Sequence, residues 1–434
     1  MAIPVTVLSG SLGAGKTTLL THLLENAGER DIAVLVNDMG EVNVDADLLE
    51  NVTDGVAELS NGCVCCELRD DLERAVVRLA RDREFDHLVV ESSGISEPGP
   101  VARLFTTGSS AAARYDLDAL VTVVDAGLFY DTFGSDEVPE RRGTEEGDGE
   151  TRPLSDLLVE QVEFSNLVVL NKRDLVSAAE LERVAELVGA LRPDAEIVRT
   201  SFGRVDPDVL LGRGLCEAAT AEGAGWKRRL EEEGGGPADD TRGERAHADE
   251  DDRGDHAHGE SDSHDRAHSH GVGGHDHAHP EEVYGVTSFT YRRRRPFHPE
   301  RVGEVLAGLP AAVVRSKGTC WIAGRDDLAF TYSQAGPSAR IEATGRWVAS
   351  LPEFEQEAYR RNRSDVAWDD EWGDRRTELV FIGTGVDREA LVGALDDCLL
   401  TDAEMDADWD GFENPYPVEQ GGELVLAEPA VEEA

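Results

Sequence analysis

Two groups of residues in the first hundred positions have types and spacing suited to chemistry, and the chemistries differ. Gly10, Ser11, Leu12, Gly13, Ala14, Gly15, Lys16, Thr17 and Thr18 read GSLGAGKTT, after the apolar run Val5 to Leu8 and before a helix-like run ending at Glu25. A glycine-rich turn between strand and helix lets backbone N–H groups surround phosphate oxygens, with Lys16 placed for the β- and γ-phosphates and Thr17 for Mg²⁺. The second group is NGCVCC, where Cys63, Cys65 and Cys66 put three thiols in four positions. Thiolates at that density suit Zn²⁺ or Cu⁺, and three protein ligands leave a fourth tetrahedral position for water, a carboxylate or an acceptor protein. Asp38 and Glu41, in NDMGE, are expected to complete that shell, to contact Mg²⁺, or to be surface charges of a switch-like loop.

A phosphate-binding loop implies further groups on later strand ends. Glu91 closes the apolar run of LVVESSG, where a carboxylate can act on Mg²⁺ or on the attacking water. Gly94, three residues on, is where a backbone N–H can sense a γ-phosphate and couple hydrolysis to movement of Ile95 to Pro98. Asn171, Lys172 and Asp174 belong to NKRD after the run LVVL. An aspartate there accepts from the guanine N1–H and 2-amino group, a donor pair adenine lacks, so GTP is expected over ATP. Thr200 and Ser201, ending the next run, are further candidates for base contacts. No arginine finger is identifiable, so unaided turnover is expected on the order of 10⁻³ to 10⁻² s⁻¹.

The elements that must hold these groups follow from periodicity. VTVLS, IAVLVND, HLVVES, ALVTVVDA, LVVLNK and EIVRTS alternate with helical stretches. Near-continuous apolar strands between helices predict an α/β fold, a parallel sheet covered by helices, over residues 1–215. Gly134 to Glu150 reads as a surface loop inside it. Residues 216–283 are read as an acidic, histidine-rich linker with too little apolar content for a core. Nine of the twelve histidines lie between His247 and His279, a density that suits weak, interchangeable metal capture. His22, His87 and His298 are expected to be structural. Residues 284–402 are expected to form a smaller α+β domain, with GVTSFTY and TELVFIG as strands and Pro299 to Leu309 and Asp387 to Leu400 as helices. An acidic, proline-bearing tail, 403–434, is expected to be loosely held.

Composition narrows the partners. Of 434 residues, 89 are acidic and 42 basic, a formal net charge of −47, which argues against nucleic-acid binding. Only four of the basic residues are lysines, Lys16, Lys172, Lys227 and Lys317, a surface chemistry of proteins working at high salt, where screening relieves self-repulsion. Six cysteines without a framework spacing suggest reduced thiols. The absence of a basic leader and of any long apolar run leads to the expectation of a cytoplasmic protein with no membrane segment.

GSLGAGKTT, NDMGE, NGCVCC, ESSG and LNKRD, in that order, resemble the CobW-type metallochaperone GTPases of the SIMIBI class of P-loop proteins. RRRRPFHPER, RSKGTCWIAG and GDRRTELVFIG are similar to that family's C-terminal domain, so the resemblance spans about four fifths of the chain. It implies Mg²⁺-dependent GTP hydrolysis, zinc held by Cys63, Cys65 and Cys66, and a metal-requiring client protein. Asp38 stands where the family usually has glutamate, which shortens the reach of that carboxylate. Cobalt insertion for cobalamin synthesis is the competing function within the family. A nucleotide-modulated metal buffer or sensor without a client is the competing function outside it. The assembly to test is a homodimer.

Overall fold

The computed structural model describes residues 2–36, 56–58, 65–92, 94, 98–106, 109–134, 144–145, 151–216, 286–362 and 368–428. Asp38, Glu41, Cys63, residues 95–97, most of the 134–150 loop and the histidine-rich segment lie outside them.

The first half is a parallel sheet whose strand order in space departs from their order in the chain. Its strands are β1 (Ile3–Ser9), β2 (Ile32–Val36), β3 (Val56–Glu58), β4 (His87–Glu91) and β5 (Tyr115–Asp125). Beyond a short ribbon of β6 (Thr144–Glu145) and β7 (Thr151–Arg152) come β8 (Leu167–Asn171) and β9 (Glu196–Arg199). Among the described residues they lie in the order β3-β2-β4-β1-β5-β8-β9. The six expected strands are all present; β3 is an addition, too short at three residues to show a period. β1, β2, β4 and β8 are buried along almost their whole length because helices cover both faces. Those helices are α1 (Lys16–Glu25), α2 (Cys65–Asp82), α3 (Pro98–Thr106), α4 (Ala126–Phe133), α5 (Leu154–Phe164) and α6 (Ala178–Leu191). Parallel strands put all their C-terminal ends on one edge, and Ser9, Val36, Glu91, Asp125 and Asn171 all end there.

The second half is an antiparallel sheet of β10 (Val286–Arg293), β11 (Val313–Cys320), β12 (Leu328–Ala335), β13 (Ser338–Arg346), β14 (Thr377–Thr384) and β15 (Glu423–Ala427). Its order is β10-β14-β11-β12-β13-β15. Helices α7 (Pro299–Ala307) and α9 (Arg388–Asp396) pack on it through Val302, Leu306, Leu391 and Leu395, and α8 (Glu353–Asn362) lies between β13 and β14 in the chain. The loosely held tail is corrected in part: residues 403–428 are placed, and β15 pairs antiparallel with β13, Leu424 opposite Ile341. Leu424, Leu426 and Ala427 pack against the core, so an alternating stretch of an acidic segment adds an edge strand where β13 offers its open edge.

The two sheets share a core. Val286, Val314, Ala335, Val380 and Ile382 of the second pack with Phe129 and Phe133 of α4, Leu158, Val159 and Val162 of α5, and Val184, Leu187 and Val188 of α6. Helix α5 is accordingly buried from Ser155 to Glu163 although it carries three carboxylates. Asp156, Glu160 and Glu163 follow an i, i+4, i+7 stripe, and each meets a donor in the second sheet. Ser338 Oγ donates to Asp156 Oδ2 at 3.0 Å, Arg340 reaches Glu160 at 3.4 Å, and the Arg315 guanidinium grips Glu163 at 2.8 and 3.0 Å. The remaining Arg315 donors go to Ser333 Oγ and the Gln334 carbonyl.

Candidate nucleotide site

The glycine-rich turn lies between β1 and α1, as its spacing requires. Gly15 caps α1 at φ +103°, in the left-handed region, and a Cβ there would stand 2.4 Å from Asn171 Nδ2. Glycine is therefore required on two counts, conformation and space. Lys16 is buried, and its Nζ donates to the carbonyls of Gly10 at 2.9 Å and Ser11 at 3.3 Å, which holds the ammonium over the loop. The Ser11 side chain is also buried, whereas Leu12 is exposed. Thr17 is half-buried and Thr18 exposed in the first turn of α1. The α1 N-terminus thus presents backbone N–H groups and one cation to the same space, the arrangement that binds oxyanions.

The other expected residues converge on this loop. Glu91 is buried at the end of β4, in register with Leu8 of β1 and Val36 of β2. Ser92 N–H donates to the Leu8 carbonyl at 2.9 Å, tying the start of ESSG to the strand that carries the loop. A Cβ on Gly94 would lie 2.9 Å from Leu12 N, 3.1 Å from Leu12 Cα and 3.3 Å from Lys16 Nζ. The ESSG turn therefore closes on the phosphate-loop backbone and its lysine, with no room for a side chain.

NKRD divides its labour. Asn171 uses both ends of its carboxamide on the protein: Nδ2 donates to the Ala14 carbonyl at 2.9 Å, and Oδ1 accepts from Gly203 N–H at 3.0 Å. It is a strut between the phosphate loop and the turn after β9. Lys172, at φ +57°, donates to Asp125 Oδ2 at 2.8 Å. The other oxygen of Asp125 caps α4 by accepting from Gly127 and Leu128 N–H. Asp174 sits in a 3₁₀ turn, Arg173–Leu175, and is exposed. Thr200 Oγ1 donates to the Arg204 carbonyl at 2.7 Å, which makes it a turn-closing residue.

Of the cysteine motif, Cys65 and Cys66 open α2, and Cys63 lies outside the described residues. Helix α2 is anchored in the core by Leu72 and Val76, four residues apart on one face. Cys216 is half-buried while Cys320 and Cys398 are buried, and burial pushes the Cys398 thiol up to about 11. Among the described residues no three His, Cys, Asp or Glu side chains gather into a metal cluster. His87 is a core histidine, its Nε2 2.9 Å from Thr6 Oγ1.

A family model described as "CobW/HypB/UreG, nucleotide-binding domain" matches residues 4–199, and one for the "Cobalamin synthesis protein cobW C-terminal domain" matches residues 286–399. The chain is also 36% identical over 433 residues to "Zinc-regulated GTPase metalloprotein activator 1" of Dictyostelium discoideum, covering 93% of this chain and 81% of that protein. This chain belongs to the CobW/HypB/UreG family. Two bacterial relatives match over about half of this chain. "Zinc chaperone CobW" of Pseudomonas aeruginosa is 37% identical over 224 residues, 48% of this chain and 60% of that protein. "Zinc chaperone YjiA" of Escherichia coli is 32% identical over 213 residues, again 48% and 60%. The match to the CobW nucleotide-binding domain spans every residue of the loop, Glu91, Gly94 and NKRD, and the C-terminal CobW match spans β10, β11 and β14.

Proposed function

We propose that this protein hydrolyses GTP and couples the cycle to delivery of a divalent metal, zinc before cobalt, to a metal-requiring client protein. One observation carries the GTPase reading: Gly94, the phosphate-loop backbone at Leu12 and the Lys16 ammonium meet at one point, where a γ-phosphate would be held between two segments. Gly10 to Thr18 would cradle the phosphates, Lys16 would neutralise their charge, Glu91 would orient the attacking water, and Asp174 would select guanine. The ion that fits Thr17 and Glu91 is Mg²⁺, which supplies further charge neutralisation when bound. Cys63, Cys65 and Cys66 are proposed to hold the cargo metal, and Asp38 or Glu41 to complete its shell. The domain limits proposed are 1–215, 216–283 and 284–402, with the placed part of 403–434 joined to the last. The −47 charge supports work at high ionic strength, and the cytoplasm is the proposed compartment. Among the described residues no helix is long and apolar enough to cross a membrane.

The decisive experiment has two arms. Lys16→Ala should reduce GTP turnover to background while zinc still binds, since catalysis in this class is almost entirely electrostatic. Zinc affinity measured with a GTP analogue, with GDP and without nucleotide should differ by roughly 5- to 150-fold, with the reciprocal effect of zinc on GTP affinity. Identical zinc affinities in all three states would leave a metal buffer as the better account.

A further inference from the structure

We propose that Phe202 is the stacking platform for the nucleotide base, a contact that rests on the GTP-binding reading and adds to it the residue that grips the ring face. Phe202 follows β9 at φ +56°, and it and Lys172 are the two described non-glycine residues with positive φ. A bulky side chain in that region is strained, and such strain is kept where the surroundings over-determine it. The surroundings here do so: Gly203 N–H is held by Asn171 Oδ1 at 3.0 Å, Arg204 N–H by the Ser201 carbonyl at 3.3 Å, and Thr200 Oγ1 bonds the Arg204 carbonyl. The product of this strain is a phenyl ring held outward, 62% exposed, in a fold that buries most of its aromatics. Its neighbourhood is the NKRD turn, because Leu170 is in register with Arg199 and Arg173 N–H donates to the Thr200 carbonyl at 3.2 Å. The Arg204 guanidinium carbon stands 5.8 Å from the ring centroid, a cation–π contact that helps fix the ring. An exposed, braced aromatic beside the turn that bears Asp174 offers a π-face to the base whose edge the carboxylate would read.

The test uses the full-length protein and three probes: GTP, GDP and inorganic tripolyphosphate. Phe202→Ala should weaken GTP and GDP alike, by roughly 5- to 150-fold, and leave tripolyphosphate binding within two-fold, because the phosphate loop is untouched. Phe202→Tyr should restore the affinity, and the emission of Phe202→Trp should be quenched by GTP and not by tripolyphosphate. GTP and GDP affinities of Phe202→Ala within two-fold of the unaltered protein would overturn the stacking while leaving the GTP-binding reading intact. Failure of the unaltered protein to bind GTP would overturn both.

Discussion

At the scale of single residues, this site is controlled by clearances of a few tenths of an ångström. Gly94 has none to spare: a methyl group there would approach Leu12 N to 2.9 Å and Lys16 Nζ to 3.3 Å. Gly94→Ala should therefore displace the ESSG turn from the phosphate loop. Displacement of about 1 Å in a positioned site costs about a hundred-fold in rate, so kcat for GTP should fall on that scale while GDP affinity stays near that of the unaltered protein. Equal kcat in the two proteins would show that the turn does not close on the γ-phosphate. His87 makes a prediction of a different kind. Burial pushes its imidazole down to about 4, against the opposing pull of Asp118, whose carboxylate lies 3.9 Å from Nε2. Between about 6.5 and 4 the unfolded chain binds a proton that the folded protein refuses. Stability from this group is thus present above 6.5 and lost as pH falls, by up to roughly 3 kcal/mol. Denaturant melts of His87→Gln should show a flatter pH dependence across that window; parallel curves would remove His87 from the account.

At the scale of elements, α5 joins the nucleotide half to the second sheet. Its buried face ends at Glu163, whose carboxylate is held in its charged form against the cost of burial by Arg315 and Lys317. The side chains of Arg315 and Glu163 are 2% and 1% exposed. A pair this deep is costly to break, because removing one partner leaves an uncompensated charge. Arg315→Ala should destabilise the protein by about 3–5 kcal/mol in chemical unfolding, and Arg315→Met with Glu163→Leu should regain most of that loss. A change below about 1 kcal/mol for Arg315→Ala would mean that water reaches Glu163. The adjacent Phe164 touches α3, since a Cβ on Gly99 would lie 3.3 Å from its ring. A packed series of contacts therefore runs from α3 through Phe164 and Glu163 to Arg315 of the second sheet.

At the scale of the whole molecule, charge dominates. A net charge of −47 on 434 residues is a strong self-repulsion, and many of the basic side chains are already committed: Arg293 to Asp396, Arg301 to Glu404, Arg199 to Glu182, Arg213 to Glu196. Exposed pairs of this kind contribute little each and are screened by salt. Screening of the excess negative charge should outweigh their loss. The thermal midpoint should therefore rise as KCl is raised from about 0.1 to 2 M, the Debye length falling from about 10 Å to under 3 Å. A midpoint that falls over that range would show the ion pairs, and not the repulsion, to be the larger effect.

Local chemistry was readable from the sequence wherever it is local. The order of loop, ExxG and NKxD, each after an apolar run, gave the strand ends on which they lie, because a parallel sheet gathers its C-terminal ends on one edge whatever the loops between. Those spacings also placed Lys16, Glu91, Gly94 and Asp174 at that edge. Tertiary structure decided what depends on partners distant in the chain. That Asn171 is a strut follows from its contacts to Ala14 and Gly203, 157 and 32 residues away. That the carboxylates of LSDLLVEQVEF face a protein surface and not water follows from Arg315, 152 residues beyond Glu163; read alone, the segment is an ordinary amphipathic helix. β11, β12 and β13 carry too many polar residues to declare themselves, and β15 is a strand only because β13 presents an open edge. A spacing along the chain specifies which groups can share a turn, but a buried charge or a strained phenylalanine is explained only by the groups the fold brings against it.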